Sequence, residues 1–398
     1  MNTISDRINN LLESATLKMA QLARELKAEG KDVISLSLGE PDFDTPQHIV
    51  KAAEEAASNS VYHHYSPVPG LLELREAISQ KLQRDNEVNY SANQIVVSTG
   101  AKQSLMNVVL CLVNPGDEVV VPSPYWVSYA AMVQLAEGEM VNITTSVEND
   151  FKITPEQLEA AISPKTKLFL FSSPCNPSGS LYTKEELGGL VKVFEKYPAI
   201  QIISDEIYEY ITFEGKHESI AQFESVRDRV IIVNGCSKGY AMTGWRIGYI
   251  AAPLAIAKAC TKMQGQFTSG ACGVSQKAAT AAISGDLSDT YAMRDAFNKR
   301  RGLIISLLKE IDGFIVNEPK GAFYIFPDVS AYFGKSDGNK VINDADDLSM
   351  YLLQDNYVSV VTGSAFGSDN CIRISYAASE ETIREAVKRM KSSLAKLN

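Results

Sequence analysis

Lys238 stands among small residues in the stretch 233–253, VNGCSKGYAMTGWRIGYIAAP, with Arg246 eight positions later. Taken alone, a lysine is a strongly hydrated surface cation. Here an apolar run, RVIIVNG, delivers it to the end of a strand pattern, and a second strand pattern, RIGYIAAP, carries the chain away. An ammonium held there loses solvation and becomes a nucleophilic amine. Four other apolar runs also end on reactive groups. QIVVS leads into Thr99-Gly100-Ala101-Lys102, where glycine and a small side chain open a helix and offer an anion its free backbone N–H groups. DEVVV leads into Pro122-Ser123-Pro124-Tyr125-Trp126, aromatic faces beside that anion site. LFLFSS leads into Pro174-Cys175-Asn176-Pro177-Ser178-Gly179, a proline-stiffened loop presenting one amide, and IQIIS leads into Asp205, Glu206 and Tyr208. Each has a plain reading: Asn176 as a turn former, Trp126 as core, Asp205 as solvated, Arg246 as an ion-pair partner. Joined, they supply an amine for an imine, a carboxylate for a ring nitrogen, donors for a phenolate, a flat face and a phosphate cradle.

A sheet is what would bring these groups together. From Gln94 onward, short apolar runs (QIVVS, DEVVV, GEMVNI, TKLFLF, IQIIS, RVIIV, RIGYI) alternate with amphipathic segments. That alternation predicts an α/β fold, a mostly parallel central sheet with helices on both faces. Ligands of such sheets bind outside the carboxyl ends of the strands, where the reactive groups fall. TPEQ at 154 and TKEE at 183 read as capping boxes. Upstream, Ile8, Leu11, Leu12, Met19, Leu22, Ala23 and Leu26 have helical spacing, stopped by Gly30. VISLSLG then reads as a strand, and Thr45-Pro46 as the N-cap and first turn of a helix over QHIVKAAEEAAS. Past residues 284–289 the pattern changes to a long helix through KRRGLIISLLKEI, then GFIVN, GAFYIFPDV, a helix around DLSMYLLQDN, strands YVSVV and CIRISYA, and a closing helix. The expected division is a large domain over 46–288 and a smaller α+β domain made from 1–45 and 289–398.

Composition narrows the chemistry. The 398 residues are 45% hydrophobic and 22% charged, an ordinary globular balance. The net charge of −10 opposes phosphate backbones and anionic membranes, so neither nucleic acid nor membrane is an expected partner. Six scattered cysteines form no C-x-x-C pair and the four histidines no H-E-x-x-H, so no metal is expected. Single cysteines, a charged N-terminus and the lack of a membrane-length apolar run point to the cytoplasm.

The group that demands the strand-end set is pyridoxal 5′-phosphate, whose protonated ring is an electron sink. The chain resembles the fold-type I, class I aminotransferases, in particular their bacterial aspartate aminotransferase branch, over nearly its whole length. The resemblance rests on LSLGEPDFDTP, YSPVPGLLELREAI, STGAKQSL, VPSPYWVSY, SSPCNPSG, SDEIYEYI, SKGYAMTGWRIGY and CIRISYA, in that order.

That resemblance implies a role for each residue. Lys238 holds the cofactor as an imine and shuttles the proton between the substrate α-carbon and the cofactor. Asp205 pairs with the ring nitrogen, Asn176 and Tyr208 bond the phenolate, and Trp126 stacks on the ring. Gly100, Ala101 and Lys102 begin the phosphate-facing helix, Arg246 binds the phosphate, and Tyr65 reaches the phosphate of a neighbouring subunit, implying a homodimer with shared active sites. Arg373 grips the substrate α-carboxylate, where a bidentate fork suits better than lysine, and Gly39 lines the same end. Lys102, assisted by Thr16, meets a distal carboxylate. The implied activity is amino transfer between aspartate, or a similar dicarboxylic amino acid, and 2-oxoglutarate. The alternatives are a prephenate, aromatic or broader range, then a lyase or decarboxylase using the same cofactor, then a non-enzymatic regulator. One departure is Gly235, where many relatives carry a phosphate-binding serine; Ser237 is the available substitute.

Rival motifs fail on their own terms. Gly235-Cys236-Ser237-Lys238-Gly239 matches G-x-S-x-G, but that hydrolase arrangement needs a histidine after the serine and the last one here is His217. Neither G-x-G-x-x-G nor G-x-x-x-x-G-K-[ST] occurs.

Overall fold

A computed structural model of the chain describes residues 3–11 and 13–398. All seven apolar runs pair into one sheet: β1 (Ile95–Thr99), β2 (Glu118–Ser123), β3 (Glu139–Thr144), β4 (Thr166–Ser172), β5 (Gln201–Asp205), β6 (Val230–Gly235) and β7 (Ile247–Ala251). Their order is β1-β7-β6-β5-β4-β2-β3. Every neighbouring pair is parallel except those of β7, which runs against both β1 and β6. The loop 236–246 that carries Lys238 joins β6 to β7 without a helix, so the chain turns back on itself instead of crossing over.

The strands read as continuous apolar runs because both faces are covered. Val97, Phe169, Ile202 and Ile232 pack into one cluster, while Val96, Leu168, Ile203 and Ile231 pack into another on the opposite face. The period of two within each strand sorts these residues. Strand β3, at the sheet edge, is only partly buried.

The remaining strands are short. Tyr324–Ile325, Val361–Thr362 and Ile372–Ser375 form an antiparallel three-stranded sheet with the last in the middle. The expected strand YVSVV is divided at Val360. Val358–Ser359 pairs in parallel with Ile34–Ser35, and Val361–Thr362 turns to the other sheet. GFIVN makes only an isolated bridge, Ile315 to Asp328. Helices Ser288–Leu308, Ala345–Asn356 and Glu380–Leu394 complete this region.

Two local expectations change. The N-terminal helical pattern divides into a turn at Asp6–Asn9 and a helix α1 (Ala15–Ala28), so Ser14 and Thr16 stand at a helix start; Leu12 lies outside the described residues. Thr45 is not a helix cap, since Pro46 occupies that position before Gln47–Ala57. Its hydroxyl instead donates to Ala241 O at 2.7 Å and accepts from Trp245 Nε1 at 3.0 Å, tying its loop to the lysine-bearing one. Both capping boxes form, with Thr154 accepting from Gln157 N and Thr183 from Glu186 N. Two further helices bear on the site, α2 (Ala101–Leu112) after β1 and α3 (Ser128–Leu135) after β2. Among the described residues no helix is long and apolar enough to cross a membrane.

Candidate active site

A cavity of about 320 Å³ opens at the carboxyl ends of the strands. Thr16, Gly39, Ala101, Lys102, Trp126, Asn176, Asp205, Tyr208, Lys238, Arg246 and Arg373 all border it. Gly100 lies behind its wall, against Arg246. Tyr65 is elsewhere, 99% exposed on a loop that does not reach the cavity.

Strand β6 ends just before Lys238, which places the side chain at the cavity floor. Its Nζ donates to Gly39 O at 2.5 Å. The protein packed around that nitrogen strips its solvation and brings its pKa down to about 8, with Arg373 and Arg246 adding repulsion against the opposing pull of Glu40 and Asp205. Asp205, the last residue of β5, is buried. Burial raises its carboxyl to about 6, opposed by a hydrogen bond from the Tyr129 hydroxyl and by the Ile207 N–H. The Tyr129 bond is 2.7 Å long. Tyr129 stands in the first turn of α3, three residues after Trp126, and their rings meet edge to face at 5.7 Å. The expected set did not include Tyr129; its only trace in sequence is that spacing, which puts both rings on one side of a helix start.

The anion cradle is built by close approach. Gly100 has φ +85° and precedes α2 with no side-chain cap, so no capping side chain occupies the start of the helix at Ala101 and Lys102. A Cβ on Gly100 would run into the Arg246 guanidinium. Arg246 itself has φ 58°, an uncommon conformation for a side-chain-bearing residue, and its Nη1 donates to Thr243 O at 2.7 Å. Gly235 lies in β6 where a Cβ would meet Ile247 O at 2.7 Å and Gly248 Cα at 2.8 Å. A serine does not fit there, and Ser237 is the hydroxyl that borders the cavity.

At the opposite wall, Arg373 is 2% exposed, with Nη1 donating to Asn176 Oδ1 at 3.0 Å and Nη2 to Ser37 O at 2.5 Å. Because arginine only donates, this contact fixes Asn176 with its oxygen toward Arg373 and its Nδ2 free to donate elsewhere. Arg373 Nε and Thr16 Oγ1 are buried without a hydrogen-bond partner. Lys102 Nζ lies 5.0 Å from the Trp126 ring centre, and desolvation, then Arg246, lowers its pKa.

Next to Asp205 a second polar group is buried. Glu206 accepts from Ser204 and Ser219 at 2.9 and 2.6 Å, with His217 Nε2 3.0 Å away. Glu209 is in direct contact with the Lys81 ammonium and accepts from Asn86 at 2.9 Å. The ligand-type atoms of Glu206, Glu209 and His217 gather within 4.8 Å, a grouping that sequence spacing did not reveal. Lys81 pairs with Glu209, while Ser204, Ser219 and His217 hold Glu206, the residue next to Asp205.

The class I and II aminotransferase family model matches residues 31–390. The chain belongs to that family. Family members depend on pyridoxal 5′-phosphate, and this aminotransferase is a pyridoxal 5′-phosphate enzyme. It is 44% identical to an aspartate/prephenate aminotransferase of Cereibacter sphaeroides over the full length of both chains. It is 45% identical to a bifunctional aspartate aminotransferase and glutamate/aspartate-prephenate aminotransferase of Petunia hybrida, covering 98% of this chain and 83% of the other. Among solved structures, the Rhizobium meliloti aspartate aminotransferase superposes with a TM-score of 0.96 at 40% identity, covering all of both chains. The Thermus thermophilus aspartate aminotransferase with maleate gives 0.92 at 36% identity, covering 99% and 100%. The cavity of this aminotransferase suits the cofactor. Gly100 lets the Arg246 guanidinium approach the start of α2 more closely than a Cβ would allow, Asp205 is a buried carboxylate with no ion pair among the described residues, and Lys238 offers an amine whose pKa is already low.

Proposed function

We propose that this aminotransferase moves an amino group between aspartate, or a similar dicarboxylic amino acid, and 2-oxoglutarate. One observation carries the reading: besides Lys238 and Arg246, which this reading gives to the cofactor, two more cationic side chains, Arg373 and Lys102, border the cavity, and no ion pair joins either to a carboxylate among the described residues. Arg373 is buried and Lys102 is exposed at the cavity rim; a buried guanidinium without a counter-charge is costly, so a ligand that brings one carboxylate to Arg373 and a second within reach of Lys102 suits the site. The unpartnered Thr16 hydroxyl at the start of α1 supplies a further donor toward the distal group. The maleate named with the Thermus relative is a dicarboxylate, which supports the same reading.

In this reading Lys238 holds the cofactor, Asp205 pairs with its ring nitrogen, Asn176 Nδ2 and the Tyr208 hydroxyl face its ring oxygen, and Trp126 covers the ring. Gly100, Ala101 and the backbone of Lys102 begin the helix that faces the phosphate, which Arg246 and Ser237 also cradle. Bound there, the cofactor supplies an electron sink for the substrate α-carbon. Arg373 takes the α-carboxylate, with Gly39 beside it, and Lys102 takes the distal one. With both ends held, the α-carbon has little freedom left, and Lys238 Nζ, once the substrate amine has displaced it from the cofactor, would remove the α-proton and later return one.

Tyr65, exposed here, reaches the phosphate site of a second copy in a homodimer with shared active sites. The large domain is taken as 46–288 and the small one as 1–45 with 289–398, in the cytoplasm. A second reading, acceptance of prephenate, is favoured by the names of the Cereibacter and Petunia relatives.

The test is an amino-donor panel against 2-oxoglutarate and oxaloacetate, with prephenate as a further acceptor, on wild type and K102Q. Wild type should favour aspartate and glutamate, and K102Q should lose at least tenfold more kcat/KM on aspartate than on a monocarboxylic amino acid. An equal loss on both would remove Lys102 from distal-carboxylate recognition.

A further inference from the structure

Tyr324 touches three parts of the site at once. Its hydroxyl lies 2.7 Å from the Tyr208 hydroxyl, both residues are buried, and their rings meet edge to face at 5.7 Å. The Arg373 guanidinium carbon sits 4.7 Å from the centre of its ring. The Gly39 backbone packs so closely on its hydroxyl end that a Cβ there would overlap it, and Gly39 O is the acceptor for Lys238 Nζ. Tyr324 therefore contacts the hydroxyl facing the ring oxygen, the guanidinium assigned to the α-carboxylate, and the peptide that holds the amine.

Each phenol has one proton to donate. By itself the Tyr208–Tyr324 bond can run in either direction. On the reading above, Tyr208 spends its proton on an anionic ring oxygen, and only Tyr324 is then left to donate within the pair. A donor that itself accepts a hydrogen bond is polarised and donates more strongly.

We propose that Tyr324 is a positioning residue with two separable parts: its hydroxyl fixes the direction and strength of the hydrogen bond that Tyr208 gives to the cofactor, and its ring sets the Arg373 guanidinium. The proposal rests on the cofactor assignment of the preceding section. The charged groups facing this pair are Arg373 from the small sheet, Asp205 from the end of β5, and Lys238, which in turn faces Glu40 and Arg246. All are retained in the variants below.

The experiment titrates the visible absorbance of the holoenzyme with pH in wild type, Y324F, Y208F and the double variant, and measures maleate binding to each. Losing the polarising donor weakens the bond that stabilises the anionic oxygen, so the Y324F midpoint should move to higher pH by about half a unit. Maleate affinity should stay within about twofold, because the ring under Arg373 is kept, whereas Y324L should weaken it about tenfold. In the Y208F background the Y324F change should add almost nothing to the midpoint, since the relay is already cut. A Y324F midpoint equal to wild type, or shifts that add fully in the double variant, overturns the proposal. Protein that takes up no cofactor and stays colourless overturns the cofactor assignment as well, which separates the two failures.

Discussion

The Tyr129 hydroxyl donates to Asp205 Oδ2 at 2.7 Å, giving a carboxylate at the floor of the cavity a neutral donor in place of a cation. Burial is the larger influence and raises the acid to about 6; Tyr129 pulls it back toward the ionised form. The ionised form is the one that can pair with a protonated ring nitrogen. In Y129F the edge-to-face contact with Trp126 remains and only the donor goes. Cofactor affinity of the apoprotein, read from fluorescence quenching at about pH 8, should fall about tenfold. Unchanged affinity would show that Asp205 does not need this donor.

The raised Asp205 carboxyl also makes a statement about stability. Its folded value, about 6, lies above the ordinary 3.8, so the folded apoprotein holds this proton more tightly than the unfolded chain. The contribution is most favourable below the ordinary value and is lost as pH climbs through the folded one. Above that window the ionised side chain costs the apoprotein on the order of 3 kcal/mol. The apo form of D205N should therefore melt higher than apo wild type at about pH 8, while the cofactor should stabilise wild type much more than the variant. Calorimetry of the four samples checks both signs, and a D205N apoprotein that melts lower than wild type would contradict the assignment of strain to this residue.

Lys238 gives an independent pH marker. Its ammonium is disfavoured by burial and titrates at about 8. Folding therefore favours the neutral amine, and this group's cost to the folded apoprotein is relieved as pH rises from about 8 toward the ordinary lysine value near 10.5. In the apoprotein, acylation of Lys238 by an activated ester, followed by peptide mass spectrometry, should rise with a midpoint near pH 8. The exposed lysines, read together, serve as the internal reference. A Lys238 profile that overlays the exposed lysines would mean that the pocket does not depress its pKa.

Much of this site is legible in the sequence because the strand ends are. Apolar runs that need no alternation mark the buried parallel strands, and the residues immediately after them must converge at one edge of the sheet. Asp205, Asn176 and Lys238 are legible in that way, Arg246 by its place eight residues after Lys238, and the cavity borders on each. Tyr129 and Tyr324 are not, because neither follows a parallel strand directly. Tyr129 depends on the phase of a helix start, and Tyr324 on the register of a short antiparallel strand, with Ser375 opposite it. The break of YVSVV at Val360 was hidden for a related reason. Its residues are apolar apart from Ser359, which is buried like its neighbours, so the pattern does not separate the half that pairs with Ile34–Ser35 from the half that pairs beside Arg373. The buried network of Lys81, Glu206, Glu209 and His217 joins residues from separate segments, and no spacing rule connects them.

Gly235 separates a packing requirement from a binding one. It occupies the place where a phosphate-binding serine was sought, yet its α-carbon faces the backbone of β7 with no room for a side chain. The obstacle is backbone, Ile247 O and Gly248 Cα, so it cannot rotate away as a flexible side chain would. Gly248 is itself pressed against the start of α2, because a Cβ on it would overlap Ala101 N. Displacing β7 would therefore shift the same helix start that carries Gly100 and Lys102. G235S should cost the protein about 2–3 kcal/mol of stability, by the usual scale of overpacking a filled interior, and should lower rather than raise affinity for the cofactor phosphate. S237A removes a hydroxyl at the cavity wall without adding volume; it should leave thermal stability within about 0.5 kcal/mol and weaken cofactor binding several-fold. Denaturation curves and cofactor titrations of the two variants check the contrast. A G235S protein that is as stable as wild type and binds cofactor more tightly would reverse the division of roles between these two positions.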